Sequence, residues 1–269
     1  MILDASDYAH KKAKGNFRIV SLVPSLTELL FDLGLKESVV GRTPFCIHPK
    51  EEVDQVKRVG GTKTVNIEKI LSEQPTHIVL NMDENKLELF EALKEEDVEI
   101  IVTHPDKPED NLDLFDLFGY IFSRETEANQ IANNFKKKLD KLAKNADKFE
   151  MRKVLYLIWR DPWMSVSEDT YISKMLKLIG WQTMPIINEK RYPVFTPKEL
   201  AQLDYELCLL SSEPYPFKEK HVTEINSIKP SLSDVLLVDG EKLSWYGSRS
   251  LKGIDYLYEL SRKKVGLEI

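Results

Sequence analysis

The chain has 269 residues, of which 42% are hydrophobic and 30% are charged, and its formal net charge is −6. This composition is typical of a soluble protein with a hydrophobic core, and the length allows one large domain or two medium-sized domains. Lysines and arginines are scattered along the sequence. The basic face of a nucleic-acid-binding protein and the polybasic segment of a membrane-surface protein are therefore both missing, and neither partner is expected.

The amino-terminal segment and the cysteines favour a cytoplasmic location. Residues 1–16 form a polar leader without the apolar core of a secretory signal, although a chain whose signal had been removed would look the same. No run approaches the roughly 18 apolar residues of a membrane span, so no membrane insertion is expected. Cys46 and Cys208 lack the spacing of a metal or redox motif. Two free buried thiols are favoured over a single disulfide bridge.

The first half of the sequence alternates strands with helices. Residues 19–23 predict a strand that Pro24 interrupts, and Ser25 is predicted to cap a helix that ends at Gly34. The following elements are a short strand before Thr43, a helix capped by Asn66, a strand at 77–80, a helix at 86–95, a strand at 98–102 and a helix at 112–122. This alternation predicts α/β structure with a mostly parallel sheet.

A long helical stretch then separates two α/β halves. No Pro or Gly interrupts residues 120–150, and apolar residues recur there at helical spacing. The predicted organisation is a polar leader at 1–16, an N-terminal α/β lobe at 17–122, a rigid linking helix at 123–149 and a C-terminal α/β lobe at 150–269.

The two halves also repeat one another. At an offset of 130 residues, NIEKILSEQPTHIVLNMD aligns without a gap with TPKELAQLDYELCLLSSE, and Asn66 and Thr196 become equivalent helix caps. Earlier in each half, RIVSLVPS corresponds to KVLYLIWR. Identity is slight, so the shared pattern of βαβ units is one explanation, but internal duplication explains the unbroken match better.

These motifs resemble a known family. RIVSLVPSLTELLFDLG, then VVG, then RVGG before NIEKIL, and a Pro-x-x-Ile-Val-Leu strand are similar to the helical-backbone (class III) substrate-binding proteins of ABC importers. That branch includes receptors for vitamin B12, haem and ferric siderophores. The likeness extends from about Phe17 to Leu260. It implies a ligand cleft between two lobes, facing the carboxyl ends of both sheets, and little closure on binding.

The resemblance further implies an ABC permease as partner, contacted through a surface glutamate near the first turn of one helix in each lobe. Glu68 occupies that position in the first lobe, whereas the second lobe has Lys198 with Glu199 beside it. A cation at this interface would repel a basic partner. Glu68 and Glu199 are the docking candidates, and helix capping is the favoured competing interpretation for both.

Aromatic and charged residues concentrate in loops that are predicted to follow strands, and three of the four tryptophans lie there. Such loops suit a pocket for a flat organic ligand. The alternative is structural, with tryptophans covering the second sheet and with Arg160–Asp161 and Arg249–Glu241 as ion pairs. The candidate ligand-binding residues are Phe45, His48, Lys63, Trp159, Arg160, Trp163, Tyr192, Glu213, Tyr215, Trp245, Tyr246 and Arg249.

The first hypothesis is therefore a monomeric binding protein for a corrinoid, haem or ferric siderophore, with cobalamin or haem as candidate ligands and no certain cofactor. The second is a cytoplasmic offshoot of the fold, acting as an enzyme or an intracellular carrier. Its reactive groups would be Cys46, His48, Asp161 and Glu213. No catalytic motif is recognised, so an enzyme is not expected. Cys46 and His48 suit a transition metal by ligand type, but no metal is assigned.

The remaining histidines carry little functional signal. His10 lies in the polar leader and His77 borders a strand. His104 and His221 are expected to be solvated.

Overall fold

The computed structural model describes residues 1–61, 66–186, 189–232 and 234–262. The chain divides into two compact units. Unit 1 consists of Met1–Pro105, Glu109–Asn134 and Tyr246–Arg249. Unit 2 consists of Asp106–Pro108, Phe135–Trp245 and Ser250–Ile269, of which the last segment is described as far as Arg262.

Unit 1 contains, among its described residues, a five-stranded parallel sheet with the order β5-β4-β3-β6-β7. Its elements are β1 (Ile2–Leu3), β2 (Ala9–His10), β3 (Ile19–Ser21), α1 (Pro24–Asp32), β4 (Val39–Arg42), α2 (Lys50–Val53), β5 (Lys57–Arg58), α3 (Ile67–Ser72), β6 (His77–Asn81), α4 (Leu87–Leu93), β7 (Glu99–Thr103) and α5 (Asn111–Ile121).

The central strands of this sheet are buried along their length, as expected for a parallel sheet that is covered on both faces. Every residue of β3 and β6 is buried, and Val20, Ile78 and Ile70 of α3 belong to one core cluster. Helix α1 begins two residues earlier than predicted. Pro24 takes the first helical position and Val23 the N-cap, so the predicted Ser25 cap is wrong.

Unit 2 contains a six-stranded mixed sheet in the described part of the chain, with the order β11-β9-β8-β12-β13 and with β10 also paired to β8. Its elements are β8 (Arg152–Trp159), β9 (Trp163–Ser165), α7 (Tyr171–Lys177), β10 (Trp181–Thr183), β11 (Val194–Phe195), α8 (Pro197–Gln202), β12 (Leu207–Ser211), α9 (Glu219–Ile228), β13 (Asp234–Val238), α10 (Gly240–Ser244) and α11 (Ser250–Arg262), which follow the long helix α6 (Glu125–Ala143).

Strands β8, β10, β12 and β13 are parallel, whereas β9 is antiparallel to both β8 and β11. The predicted parallel arrangement therefore holds throughout the sheet of unit 1 and in the centre of the sheet of unit 2. The short antiparallel strands β9 and β11 were not predicted. Each has only two or three residues, which is too short for a clear alternating pattern.

Helix α6 is the predicted long helix between the two halves. It has 19 residues, and the boundary between the units falls within it, at Asn134 and Phe135. A separate 3-10 turn, Ala146–Lys148, follows within the stretch that the sequence assigned to one continuous helix. Within the described residues, no helix combines the length and the hydrophobicity that a membrane crossing needs.

The internal repeat is confirmed at the level of single elements. Asn66 caps α3 and Thr196 caps α8, and each side-chain oxygen accepts a hydrogen bond from the backbone N–H three residues later. Both helices and the strands after them, β6 and β12, begin and end at the same offset of 130 residues. The central strands also correspond, because Ile19 of β3 lies opposite the first residue of β6 and Val154 of β8 opposite the first residue of β12.

The predicted polar leader is part of unit 1 and packs on the edge of its sheet. Strands β1 and β2 form an antiparallel hairpin, residues 2–10, and the hairpin lies on β7. The Ala5 N–H donates to the Val102 carbonyl at 3.0 Å, and the Val102 N–H donates to Asp4 Oδ2 at 2.8 Å.

Substitution of the two helix caps tests their equivalence. Asn66→Ala and Thr196→Ala each remove the acceptor of a first-turn N–H, so each is expected to lower the free energy of unfolding by about 1 kcal/mol. Chemical denaturation followed by circular dichroism measures the change. Lys198→Ala, at an exposed position of α8, is the control and should stay within about 0.5 kcal/mol of the wild type. A cap variant as stable as this control would contradict the prediction.

Candidate ligand-binding loops

The carboxyl ends of the parallel strands in unit 1 carry exposed apolar side chains. Phe45 and Ile47 lie in the loop 43–49 after β4, and Met82 lies in the loop 82–86 after β6. These side chains are 58%, 44% and 47% exposed, respectively. Large apolar groups grouped at one end of a sheet are typical of a binding surface, since single scattered ones need no explanation but grouped ones do. Ile47 and Met82 are additions to the predicted set.

Buried polar groups fix the loop that carries Phe45 through hydrogen bonds. Thr43 Oγ1 accepts from the Phe45 N–H at 3.3 Å, and Cys46 Sγ lies 3.1 Å from Thr27 Oγ1 and 3.2 Å from Thr43 Oγ1. The buried Arg42 donates to the Cys46 carbonyl at 2.9 Å. Burial raises the pKa of the Cys46 thiol, so Cys46 is a structural anchor and not a reactive thiolate.

His48 lies in the same loop and is half-buried. Because Cys46 is fully buried, the two side chains are not presented together to one ligand, as the metal interpretation required. Among the described residues, no group of three His, Cys, Asp or Glu side chains could hold a metal ion.

Unit 2 exposes the large apolar side chain of Trp159, the last residue of β8, at the carboxyl end of that strand. Trp159 is 40% exposed. Ile186 and Tyr192 are also exposed, but they lie between β10, which pairs with the start of β8, and β11, which runs parallel to β8, so the register does not place them at that end. Trp159 meets Tyr215 edge to face at a centroid distance of 5.7 Å, and the Tyr215 hydroxyl lies 3.2 Å from His221 Nε2.

His221 is buried, contrary to the expectation that it is solvated. Its Nδ1 accepts from the Lys218 N–H at 2.9 Å, at the start of α9. The imidazole therefore holds the end of the loop 212–218 that follows β12, and its other nitrogen faces the ring that supports Trp159.

Trp163 and Arg160 have structural roles. Trp163 is buried and stacks on Phe217 at 6.1 Å with an interplanar angle of 7°. The Arg160 guanidinium lies over the Trp163 ring and forms ion pairs with Glu224 and Asp161. Trp163 therefore belongs to the core of unit 2, and the charge of Arg160 is already balanced.

Glu213 and Trp245 form a polar contact at the end of β12. Glu213 Oε1 accepts from Trp245 Nε1 at 2.6 Å and from Ser244 Oγ at 2.9 Å. Burial raises the pKa of Glu213. A cavity of about 410 Å³ lies at the ends of β12 and β13, and residues on both sides of Glu213 in the sequence line it. Its lining residues are Leu210, Ser212, Phe217, Leu237, Val238, Asp239 and Glu241.

Tyr246 and Arg249 lie on a short segment, Tyr246–Arg249, by which the chain returns to unit 1. The Tyr246 hydroxyl donates to Glu84 Oε1 at 2.5 Å, and burial together with the charge of Glu84 raises the pKa of Tyr246. The buried Arg249 donates through Nε and Nη2 to both oxygens of Glu28 on α1, at 2.6 and 2.9 Å. Arg249 therefore forms a buried ion pair with Glu28.

Glycine is required within this returning segment. Gly247 has φ +73°, and a Cβ there would lie 3.3 Å from Leu29 Cβ. Its N–H donates to Asn111 Oδ1 at 2.6 Å. The hydrogen bonds of Tyr246, Gly247 and Arg249 thus fix this segment in unit 1.

The remaining predicted residues are placed as follows. Lys63 lies outside the described residues. Glu68 is exposed in the first turn of α3. Glu199 closes a capping box, in which its carboxylate accepts from the Thr196 N–H at 2.7 Å and from the Thr196 hydroxyl at 2.8 Å. The capping interpretation therefore describes Glu199, whereas the Glu68 carboxylate is presented on the surface.

Comparison with known proteins now assigns the family. A sequence profile described as periplasmic binding protein matches residues 19–227, which is more than half of the chain. The chain therefore belongs to the periplasmic binding protein family. Among curated relatives, it is 27% identical to YvrC of Bacillus subtilis, an uncharacterized ABC transporter substrate-binding lipoprotein, over 95% of this chain and 83% of the relative.

Solved structures share the fold. The periplasmic vitamin B12 binding protein BtuF of Vibrio cholerae superposes with a TM-score of 0.78 at 18% identity, covering 92% of this chain and 98% of BtuF. The periplasmic heme-binding protein RhuT of Roseiflexus sp. RS-1 gives a TM-score of 0.80 at 18% identity, covering 92% and 100%. The resemblance drawn from the sequence motifs is confirmed, and the chain is a substrate-binding protein of the ABC importer type.

Removal of the buried carboxylate at α1 is expected to be costly. Glu28→Gln leaves the Arg249 guanidinium buried beside a neutral amide, so the free energy of unfolding should fall by about 3 kcal/mol. Glu52→Gln is the matched control, because Glu52 pairs with Lys36 where both side chains are exposed, and a loss below about 1 kcal/mol is expected there. Denaturant titration measures both variants. Equal losses would contradict the anchoring role of the buried pair.

Proposed function

We propose that this protein captures a small, largely apolar metal chelate of the corrinoid, haem or ferric-siderophore type and delivers it to an ABC permease. The observation that carries the proposal is the exposure of large apolar side chains at the carboxyl end of the sheet in each unit. Phe45, Ile47 and Met82 supply them in unit 1, and Trp159 supplies one in unit 2.

Physical chemistry supports this type of ligand. Removing apolar surface from water is favourable by about 25 cal/mol per Å². A group of exposed apolar side chains therefore indicates a surface that a ligand or partner covers. Trp159, backed edge-on by Tyr215, offers a flat ring surface to a flat ligand. Two relatives with this fold are named for flat metal chelates, BtuF for vitamin B12 and RhuT for heme.

The charged residues at these strand ends add little attraction for an anion. Arg160 is ion-paired with Glu224 and Asp161, and Arg249 is ion-paired with Glu28. In this proposal, these two predicted basic contacts stabilise the fold and do not bind the ligand. The ligand is held in this proposal mainly by apolar and aromatic contact, with His48 and Glu213 as polar groups beside it.

Permease docking, in this proposal, uses Glu68. Its carboxylate is exposed in the first turn of α3, whereas the Glu199 carboxylate is bound to its own helix cap and stands next to Lys198. The family assignment and the lipoprotein relative support a place of action outside the cytoplasm. This differs from the cytoplasmic location expected from the sequence. No specific observation favours the enzyme alternative, since the thiol of Cys46 is buried.

Ligand titration tests the proposal. Cyanocobalamin, haem and a ferric hydroxamate siderophore are titrated separately into the wild type, Phe45→Ala and Trp159→Ala, and the dissociation constants are compared by isothermal titration calorimetry. Each substitution is expected to weaken binding of the accepted ligand about tenfold or more, because aromatic anchors dominate such sites.

Met151→Ala is the matched control. Met151 is 74% exposed and precedes β8, so it lies at the amino end of the strand that ends in Trp159. Its removal should leave the dissociation constant within about twofold of the wild type. Binding of none of the three ligands by the wild type would contradict the proposed ligand class. Equal effects of Trp159→Ala and Met151→Ala would contradict the proposed location of the site.

A further inference from the structure

A buried cluster of ionisable groups joins the N-terminal hairpin to the sheet of unit 1. His10, at the end of the hairpin, is fully buried. Its Nδ1 lies 2.6 Å from Glu99 Oε1 on β7, and its Nε2 lies 3.1 Å from Asp4 Oδ2 in the hairpin itself. Both ring nitrogens thus face carboxylate oxygens, and an imidazole can donate from both nitrogens only when it is protonated.

A second histidine borders the same cluster. His77 Nε2 on β6 is buried without a hydrogen-bond partner and lies 3.8 Å from Glu99 Oε2, while His77 Nδ1 contacts the Thr76 hydroxyl at 2.8 Å. Glu99 is therefore placed between two imidazoles. The other titratable ring against His10 is Tyr8, which meets it edge to face at 4.9 Å.

The hairpin covers the edge strand of the sheet. Strand β7 pairs with β6 on one side, and on the other side Val102 exchanges hydrogen bonds with the hairpin through Ala5 and Asp4. An uncovered edge strand offers unpaired N–H and C=O groups to other chains. The same Asp4 carboxylate that bonds the Val102 N–H also faces His10, so the edge contact and the imidazole are coupled through one side chain.

We propose that the N-terminal hairpin is a pH-dependent cover of the β7 edge, held in place by a protonated His10 between Asp4 and Glu99. Deprotonation removes one of the two donated hydrogen bonds and both charge attractions. The hairpin then detaches from β7, and the amide of Val102 loses its acceptor.

The direction of the pH dependence follows from the cluster. Burial alone would lower the pKa of His10, but the hydrogen bonds and charges of Asp4 and Glu99 raise it above the ordinary value of 6.5. Its stabilising contribution is thus fully present below pH 6.5 and is lost as the pH rises through the folded-state pKa. Release of the hairpin is therefore expected on the alkaline side.

Asp4 and His77 determine how the stability of the cluster changes at acidic pH. Burial alone would raise the pKa of Asp4, but hydrogen bonds from His10, Val102 and Ser6 lower it below the ordinary value of 3.8. Its stabilising contribution is therefore present above pH 3.8 and is lost as the pH falls through the folded-state pKa. Burial lowers the pKa of His77 below the ordinary value of 6.5. Below pH 6.5 the unfolded chain binds this proton more readily than the folded chain does, so the free energy of unfolding falls as the pH falls.

Detachment would also change the surface of unit 1. A cavity of about 380 Å³ has the hairpin residues Ile2, Leu3, Asp4 and Ala5 as one wall and β7 with α5 as the other. The cavity exists only while the hairpin is attached, so the charge of His10 controls both the sheet edge and this cavity.

Amide hydrogen exchange at Val102, measured by NMR and normalised to the amides of β6, tests the proposal in the full chain. In His10→Gln at pH 7, normalised exchange at Val102 should be faster than in the wild type by about tenfold or more. Lys12→Gln is the matched control, because Lys12 attaches the same segment to Glu125 by an ion pair between exposed side chains, and about a twofold change at most is expected.

The pH dependence of the wild type provides the second measurement. Normalised exchange at Val102 should rise towards that of His10→Gln as the imidazole resonance of His10 titrates. The proposal is overturned if His10→Gln protects Val102 as well as the wild type does. It is also overturned if Val102 protection in the wild type stays flat while His10 titrates, and this second criterion decides the matter if His10→Gln does not fold.

Discussion

The parallel arrangement around one central strand in each unit determines where this protein can meet a ligand. Strand β3 lies between the parallel strands β4 and β6, and β8 pairs with the parallel strands β10 and β12. Since parallel strands point the same way, all of their following loops emerge at one end of the sheet. The strands themselves are buried, so apolar side chains that face solvent at that end, such as Phe45 and Trp159, belong to loops and to the last strand residues.

Buried polar contacts hold these loops in place. Cys46 and Arg42 support the Phe45 loop, His221 supports the ring behind Trp159, and the returning segment is fixed by the pair between Glu28 and Arg249. A buried charge is tolerated only when it is paired. This requirement explains why the buried Arg249, which the sequence offers as a ligand contact, is paired with Glu28.

Local patterns in the sequence predicted the elements well, because they depend on neighbouring residues. The caps at Asn66 and Thr196, the strands that follow them and the long helix α6 were all predictable from periodicity and capping chemistry. Contacts between distant residues were not. Arg249 and Glu28 are 221 positions apart, and His10 and Glu99 are 89 apart, so no spacing rule connects them. The sequence left Trp163 open between a ligand contact and a structural cover of the second sheet, because its stacking on Phe217, 54 positions away, follows from no local pattern.

In the proposed function, the apolar side chains at the strand ends bind a flat metal chelate. Native mass spectrometry with an absorption spectrum, recorded on protein purified from its own host before dialysis, tests it most directly. The expected result is a stoichiometric adduct whose mass and visible absorption match a corrinoid, a haem or a ferric chelate, and whose loss accompanies loss of the colour. A colourless protein that retains no adduct, and whose melting temperature does not rise with any of these ligands, would contradict it.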